Sequence, residues 1–311
     1  MRILLYRADG NTAPWLKDFA ELMPEAEVVV WREGVGEIAA CDYAVLWTPP
    51  QSMLADLARV KAIFLTGAGA DAIMKYSHAI PPHIPIVRLN DAGMGIQMAE
   101  YVTHAVLRYF RRLDEYETQA RAGAWLQLEA RDKADFSVGV MGVGALGAHV
   151  IEALKPFGFP LRAWSRSPKS LAGVESFHGE AGLDGFLGSS RVVVCMLPLT
   201  EETIHILNRS NMMKMPQGSY IINVGRGAHI SEPDLLPLIK SSHIAGATLD
   251  VFRNEPLPAQ HPFWMEPRIT ITPHISALTL RRESLEQMVG KMRQHARGEE
   301  VADVINRTKG Y

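Results

Sequence analysis

The N-terminal third of the chain alternates short apolar runs with stretches whose apolar residues recur at helical spacing. The helical stretch is APWLKDFAELM, and the runs that indicate strands are RILLYR, AEVVVW, DYAVLW, VKAIFL and IPIVRL. Strands separated by helical stretches typically form a parallel sheet with crossover helices. This part of the chain is therefore predicted to be an α/β unit.

A long helix is predicted next. Apolar residues recur there at helical spacing, at Met98, Val102, Ala105, Val106 and Tyr109. We expect one helix from Gln97 to about Ala120, and we expect it to separate two α/β units.

The second unit begins near Phe136. Six runs indicate its strands: FSVGVM, PLRAW, RVVVCML, SYIINV, IAGATLDV and RITIT. With helical patterns between them, they predict a doubly wound parallel sheet. Pro237 interrupts the pattern DLLPLIKSS, so we expect that helix to start late or to kink.

Composition sets the broad class. The 311 residues are 47% hydrophobic and 21% charged, which is enough apolar mass for two cores. The net charge of −2 and the dispersed Lys and Arg residues do not favour nucleic-acid binding. No H-E-x-x-H motif and no cysteine pair at zinc spacing occurs, so no metal site is predicted.

The cysteines and the apolar runs bear on location. Cys41 and Cys195 are too few for a disulfide framework, which suits a reducing cytosol. No run approaches the roughly 20 apolar residues that span a bilayer. The N-terminus reads as a first strand and lacks a signal peptide's features. We expect a cytoplasmic protein that binds no membrane.

The most informative stretch is GVGALG. Gly142, Gly144 and Gly147 form G-x-G-x-x-G after an apolar strand and before a helix that begins near Ala145 and Leu146. In this context the glycines allow a tight turn, close approach to a pyrophosphate and close packing of helix and strand. The stretch predicts a dinucleotide site.

The end of the next strand predicts which nicotinamide cofactor binds. An NAD-specific site would place a carboxylate there, whereas the chain has Ser165, Arg166 and Ser167, with Lys169 close by. Arg and Lys pair with a 2′-phosphate. We expect NADPH, with NADH as a weaker alternative. If the cations are only surface charges, the site is indifferent.

Three chemistry-bearing residues follow later strands. Arg226, Glu255 and His274 each come just after a predicted strand, at the edge where ligands bind in open α/β sheets. The alternatives are structural: Arg226 caps a helix, Glu255 pairs with Arg253, and His274 satisfies a turn.

With these motifs the chain resembles the D-isomer-specific 2-hydroxyacid dehydrogenases. The matching pieces are GVGALG, LPLTEET, NVGRG, LDVFRNEPLP and ITPHIS. Further pieces resemble the family's glyoxylate/hydroxypyruvate reductase A branch, namely LWTPP, LTGAGAD, MGIQMAEYV, YFRR, WSRSPKS and the terminal GY.

The resemblance implies roles for the three residues. Arg226 would bind the substrate carboxylate and polarise the ketone, and His274 would be the general acid. Glu255 would orient His274 and favour its protonated form. The implied reaction is NADPH-dependent reduction of small 2-oxo acids, glyoxylate to glycolate and hydroxypyruvate to D-glycerate.

The resemblance also implies further binding residues. Those for the cofactor are Leu197, Pro198, Thr203, Val224, Gly225 and Asp250. Those for the substrate are Trp47, Ala68 and Gly69, together with Arg226 and His274. For Trp47, a core tryptophan at a strand end is an alternative, and Trp264 receives no role.

The predicted organisation is a Rossmann NAD(P)-binding domain, residues 96–277, inserted into a flavodoxin-like substrate domain, residues 1–95 plus 278–311. We expect the active site in the cleft and a homodimer formed around the long helix and the segment RAGAW. Two other functions stay open: a broader 2-ketoacid reductase with a bulkier substrate, and a non-catalytic NAD(P)-sensing protein.

Overall fold

The computed structural model describes residues 1–33, 40–308 and 310. Tyr311, the last residue of the predicted terminal motif, lies outside the described residues. The chain divides into two compact units, Met1–Gly93 with Thr279–Tyr311, and Met94–Leu278. The second unit is thus inserted in the sequence of the first.

The first unit contains a five-stranded parallel sheet. Its strands are β1 (Arg2–Arg7), β2 (Glu27–Val30), β3 (Tyr43–Trp47), β4 (Ala62–Leu65) and β5 (Ile86–Val87). Its first helices are α1 (Ala13–Leu22), α2 (Leu54–Leu57) and α3 (Asp71–Met74). The order β2-β1-β3-β4-β5 is the flavodoxin-like arrangement.

The second unit contains a seven-stranded parallel sheet. Its strands are β6 (Val138–Met141), β7 (Leu161–Ser165), β8 (Glu175–His178), β9 (Val192–Cys195), β10 (Ser219–Asn223), β11 (Ile244–Leu249) and β12 (Ile269–Ile271). The order is β12-β11-β10-β9-β6-β7-β8, so strand order reverses between β6 and β9. This is the Rossmann arrangement, and the predicted fold class is confirmed.

The sequence did not reveal β8. Its sequence is ESFH, and its residues are mostly exposed. Because β8 is an edge strand, paired among the described residues with β7 alone, it needs no apolar run to form.

The helices of the second unit cover its sheet or extend from it. They are α4 (Met94–Phe110), α5 (Leu113–Arg121), α6 (Ala145–Leu154), α7 (Gly179–Ser189), α8 (Arg209–Met212) and α9 (Glu232–Lys240).

Short 3₁₀ turns occur in both units. They occupy Gln51–Met53, Ser77–Ala79, Lys155–Phe157, Gly227–His229 and Pro262–Met265.

The prediction of one helix over 97–120 is wrong. The first helix runs from Met94 to Phe110. The helical conformation is interrupted at Arg112, whose backbone is left-handed with φ 59°, and a second helix follows. The Arg112 guanidinium donates to both Glu115 carboxylate oxygens, at 2.8 and 2.7 Å, and to the Glu129 carbonyl. These bonds, with two acidic residues in the first turn of α5, favour a new helix start.

Of the two outcomes expected at Pro237, the late start is wrong, and the kink stays a prediction. Helix α9 begins at Glu232, before Pro237, and continues past it. The Ser241 N–H donates to the Pro237 carbonyl at 3.0 Å, so the turn after the proline keeps its hydrogen bond.

The C-terminal segment completes the first unit. It forms α10 (Arg281–Ala296), and Arg281 donates to Asp18 of α1 at 2.5 Å. Beyond the helix, the Ile305 N–H donates to the Ile86 carbonyl, which protects the edge of β5. No helix within the described residues is long and apolar enough to cross a membrane.

Candidate active site

The glycine loop after β6 is fixed by close packing. Gly142 has φ +96°, and a Cβ there would lie 2.8 Å from the Met196 carbonyl oxygen. A Cβ on Gly147 would overlap the Gly142 carbonyl oxygen. Both positions therefore exclude any side chain.

Gly144 is different. It caps α6 in an extended conformation, φ −75°, and nothing lies within 4 Å of an added Cβ. Protein packing alone does not require glycine here. The open space lies where the N–H groups of Ala145 and Leu146 begin the helix, and such a terminus binds phosphate. The loop thus fits the pyrophosphate of a dinucleotide.

The turn after β7 holds the predicted cationic residues. Ser165 Oγ donates to the Ser167 carbonyl at 2.8 Å. Lys169 Nζ donates to the Val143 carbonyl at 3.1 Å, which ties this turn to the glycine loop. The Arg166 side chain is 41% exposed and lies 3.9 Å from a carboxylate oxygen of Glu202. One cation of this turn, Lys169, therefore borders the glycine loop.

The loop after β9 folds on itself. Thr203 is buried, and its Oγ1 donates to the Pro198 carbonyl at 2.8 Å. The Leu197 carbonyl oxygen lies 3.1 Å from the position of a Cβ on Gly225, so this loop packs against the loop after β10.

The loop after β10 presents Arg226. Asn223 Nδ2 donates to the Arg226 carbonyl at 3.0 Å, and Asn223 Oδ1 accepts the Gly225 N–H. Arg226 Nη1 donates to the Gly225 carbonyl at 2.7 Å. Because a Cβ on Gly227 would overlap the backbone of Phe252, the loop lies directly against the segment after β11.

His229 is a residue of this site that sequence reasoning missed. Its side chain is fully buried, and Nδ1 accepts the Arg226 N–H at 3.1 Å. The sequence GRGAHI offers only a histidine before an apolar residue, and this pattern does not separate a buried histidine from an exposed one.

His274 and Glu255 form a pair. Nδ1 of His274 lies 2.8 Å from Glu255 Oε2, and Glu255 Oε1 accepts the Phe252 N–H at 2.9 Å. The hydrogen bond to Glu255 raises the pKa of His274, although partial burial opposes it. Burial raises the pKa of Glu255, but the hydrogen bonds from His274 and Phe252 outweigh it and lower the pKa overall.

The charge of Arg226 acts on this pair. Its positive charge partly opposes the rise in the pKa of His274 and adds to the lowering of the pKa of Glu255. The structure thus places Arg226, Glu255 and His274 close enough to interact electrostatically, at the carboxyl ends of β10, β11 and β12. A cation, a carboxylate and a protonatable imidazole there can bind an anion and deliver a proton.

Asp250 holds the His274 loop. Its buried carboxylate accepts hydrogen bonds from Thr272 Oγ1 at 2.6 Å and from the N–H groups of Ile275 and Ser276 at 2.8 Å each. His274 has φ 56°, an uncommon conformation for a residue other than glycine. Its N–H donates to the Asp250 carbonyl at 2.9 Å, so Asp250 supports the strained residue through both backbone and side chain.

Trp47 ends β3 in the first unit. Its side chain is 41% exposed, so it is not a core tryptophan. The Arg7 guanidinium lies 4.9 Å from the rings of both Trp47 and Trp15, and Asp9 holds Arg7 through two hydrogen bonds. This stacking fixes the Trp47 indole.

The other first-unit candidates follow β4. Ala68 is half-buried and Gly69 is exposed, in the turn between β4 and α3. In the second unit, Trp264 donates its Nε1–H to the Pro258 carbonyl at 2.9 Å and is half-exposed. The described residues hold no group of three or more His, Cys, Asp or Glu side chains placed to bind a metal ion.

Comparison with known families gives a match over most of the second unit. Residues 103–276 match the family described as D-isomer specific 2-hydroxyacid dehydrogenase, NAD binding domain. The predicted resemblance to this family is confirmed.

Two curated relatives match along their whole length. The chain is 42% identical to glyoxylate/hydroxypyruvate reductase A of Yersinia enterocolitica, covering 100% of both chains. It is 43% identical to the protein of that name from Salmonella enteritidis, with the same coverage. The resemblance to this branch is confirmed as well.

Solved structures agree. The chain is 36% identical to a D-isomer specific 2-hydroxyacid dehydrogenase of Xanthobacter autotrophicus in complex with NADPH, with a TM-score of 0.94 over 100% of this chain and 99% of that one. It is 30% identical to an NADPH-dependent glyoxylate/hydroxypyruvate reductase of Sinorhizobium meliloti in complex with NADP and sulfate, with a TM-score of 0.92 and the same coverage.

Proposed function

Because the chain belongs to the D-isomer-specific 2-hydroxyacid dehydrogenase family, we propose that it catalyses the NADPH-dependent reduction of small 2-oxo acids. The proposed reactions are glyoxylate to glycolate and hydroxypyruvate to D-glycerate. The observation that carries the proposal is the hydrogen-bonded His274–Glu255 pair, which interacts electrostatically with Arg226. The names of the relatives support the substrate class.

The three residues have different roles in the proposed reaction. The Arg226 guanidinium binds the substrate carboxylate and polarises the neighbouring ketone. His274, protonated, donates the proton that becomes the hydroxyl hydrogen. Glu255 keeps His274 oriented and protonated, because a carboxylate at Nδ1 favours the imidazolium. Arg226 and His274 together stabilise the negative charge that develops on the carbonyl oxygen.

NADPH, when bound, supplies the hydride to the carbonyl carbon. The N-terminus of α6 fits its pyrophosphate, because Gly144 leaves open space there, while Gly142 and Gly147 allow the tight turn and the close packing of the loop. We propose that Arg166 and Lys169 favour the 2′-phosphate, so that NADH is a weaker alternative. The NADPH and NADP complexes of the two similar structures support this choice.

The remaining predicted binding residues are part of the proposal. For the cofactor they are Leu197, Pro198, Thr203, Val224, Gly225 and Asp250, and for the substrate Trp47, Ala68 and Gly69. Asp250 acts at least through the His274 loop, because both its carboxylate oxygens bind that loop.

We also propose a homodimer. Trp125 is 100% exposed and Leu126 is 66% exposed, next to the end of α5. Adjacent exposed apolar side chains of this size favour burial in an interface. The predicted cytoplasmic location rests on the two cysteines, which are too few for a disulfide framework and are both buried.

The test is a turnover assay with purified protein. Glyoxylate or hydroxypyruvate is mixed with NADPH and then with NADH, and nicotinamide oxidation is followed by absorbance. Rapid oxidation of NADPH and slow oxidation of NADH would support the substrate class and the cofactor choice together. No oxidation of either, while NADPH still binds, would overturn the substrate assignment and favour a different 2-oxo acid or a sensing role.

A further inference from the structure

We infer that His229 is a positioning residue that couples Arg226 to the loop after β9. This inference rests on the proposed function, because it assigns His229 to the alignment of the substrate-binding arginine with the predicted cofactor loop. The two loops leave neighbouring strands, since β9 and β10 pair in parallel.

The imidazole of His229 bridges the two loops. Its Nδ1 accepts the Arg226 N–H at 3.1 Å, and its Nε2 lies 3.3 Å from the Pro198 carbonyl oxygen. That oxygen also accepts the Thr203 hydroxyl at 2.8 Å. One buried ring thus joins the backbone of the predicted carboxylate-binding residue to the loop that holds three predicted cofactor-binding residues, Leu197, Pro198 and Thr203.

These bonds determine the state of the ring. A backbone N–H only donates, so Nδ1 must accept and carries no proton. A carbonyl oxygen only accepts, so Nε2 must carry the proton. His229 is therefore neutral with its proton on Nε2, and only this tautomer satisfies both contacts.

Backbone contacts support the same junction. The His205 N–H donates to the Ala228 carbonyl at 2.8 Å, and the Leu207 N–H donates to the His229 carbonyl at 2.9 Å. The ring also packs on Gly225, where a Cβ would lie 3.0 Å from Nδ1. These backbone bonds hold the loops together when the ring is changed, so substitution of His229 should disturb alignment more than folding.

Two substitutions separate the two bonds of the ring. In H229N the side-chain oxygen takes the place of Nδ1 and keeps the Arg226 contact, while the longer reach to Pro198 is lost. In H229Q the terminal amide reaches the Pro198 carbonyl, while the acceptor for the Arg226 N–H is lost. H243N is the matched control, because His243 Nε2 lies 3.0 Å from another backbone carbonyl of the same unit, that of Met212.

We expect a split in the kinetic constants. H229Q should raise the KM for glyoxylate about three- to tenfold, the size of one lost hydrogen bond, with little change in the KM for NADPH. H229N should raise the KM and the fluorescence-titrated Kd for NADPH by a similar factor, with little change for glyoxylate. Wild-type constants in H243N complete the expected pattern. Equal losses of kcat in both His229 variants, with unchanged KM values, would mean a merely structural role and overturn the inference.

A second measurement does not depend on turnover. In ¹⁵N-histidine spectra of the wild-type protein, we expect one neutral ring with a protonated Nε2 whose signals disappear in H229N. A His229 ring protonated on Nδ1 would overturn the inference even if the variants fail to fold. Lack of wild-type turnover with every 2-oxo acid, alongside the expected ring state and Kd change, would instead count against the proposed function alone.

Discussion

The Nδ1 atom of His274 lies 2.8 Å from Glu255 Oε2, and this contact determines which ring nitrogen of the imidazole can react. A carboxylate only accepts, so Nδ1 carries a proton and Nε2 is the atom left for the substrate. Glu255 is itself held by the Phe252 N–H. The pair is therefore oriented from the backbone outward.

Removing the Glu255 charge should change the pH profile. The hydrogen bond to Glu255 raises the pKa of His274, and the general acid works only while protonated. Reduction should therefore decline as pH rises through that pKa, and in E255Q the decline should occur at lower pH. The measurement is kcat/KM for glyoxylate against pH. E232Q is the control, because Glu232 accepts the Arg253 N–H and pairs with His261 instead. An unchanged profile in E255Q would contradict the role of Glu255.

Removing the His274 imidazole should remove most of the rate. H274A should lower kcat by about 100-fold or more, the usual contribution of a general acid. H274N is the companion variant, because asparagine tolerates the left-handed φ of 56° that alanine adopts at a cost. Equal losses in both variants would assign the effect to the imidazole. Turnover near wild type in H274N would contradict the general-acid role and leave His274 with only a structural role in the turn.

The Asp250 carboxylate should matter for both stability and rate. D250A leaves the N–H groups of the exposed Ile275 and the buried Ser276 without their acceptor and also removes the Thr272 bond, so the free energy of unfolding should fall by roughly 2–4 kcal/mol. The kcat should fall as well, because the His274 loop loses its support. Urea unfolding and turnover are the measurements.

T272V is the matched control for D250A. It removes the Thr272 bond to Asp250 and the neighbouring bond from Tyr101, but leaves the two N–H bonds. Because the Thr272 hydroxyl gives its one proton to the Asp250 carboxylate, Tyr101 is the donor to Thr272. A cost of about 1 kcal/mol is expected for T272V. A larger loss in T272V than in D250A would show that Asp250 is not the anchor.

The sequence predicted the parts of the fold that depend on apolar periodicity and on ordered motifs. The buried strands and the glycine loop belong to this class, because burial and close backbone approach restrict the residue types. Strand β8 was missed because an exposed edge strand is held by backbone pairing, and the break at Arg112 was missed because ion pairs and a left-handed residue produce it without glycine or proline.

In the site, the sequence indicated the residues that end strands but not those that hold them. The contact of His229 with the Pro198 carbonyl and the bonds between Asp250 and the His274 loop depend on which groups approach each other across separate loops. Such approaches follow from tertiary packing, and no local spacing encodes them. The pairing of Glu255 with His274 was expected only through the family resemblance, and the 2.8 Å distance now gives its geometry.

Two glycine substitutions in the loop should affect different properties, G147A the stability of the protein and G144A its affinity for NADPH. G147A places a Cβ onto the Gly142 carbonyl oxygen, so the protein should lose stability. G144A meets no atom within 4 Å, so its Tm should stay near wild type. The KM for NADPH should still rise at least about tenfold in G144A, because the added methyl group occupies the space for the pyrophosphate. Thermal unfolding and NADPH titration measure both effects. Normal NADPH affinity in G144A would contradict the pyrophosphate assignment.

Removing the Arg166 guanidinium should distinguish the two nicotinamide cofactors. A charge-assisted hydrogen bond to the 2′-phosphate is worth enough that R166A should raise the KM for NADPH by about tenfold or more. The KM for NADH should barely change, since NADH lacks that phosphate. R162A is the control, because Arg162 lies on β7 itself and pairs with Glu175 at 3.0 Å. Steady-state kinetics with both cofactors provide the comparison. A parallel rise for NADPH and NADH in R166A would contradict the assignment of the 2′-phosphate to this turn.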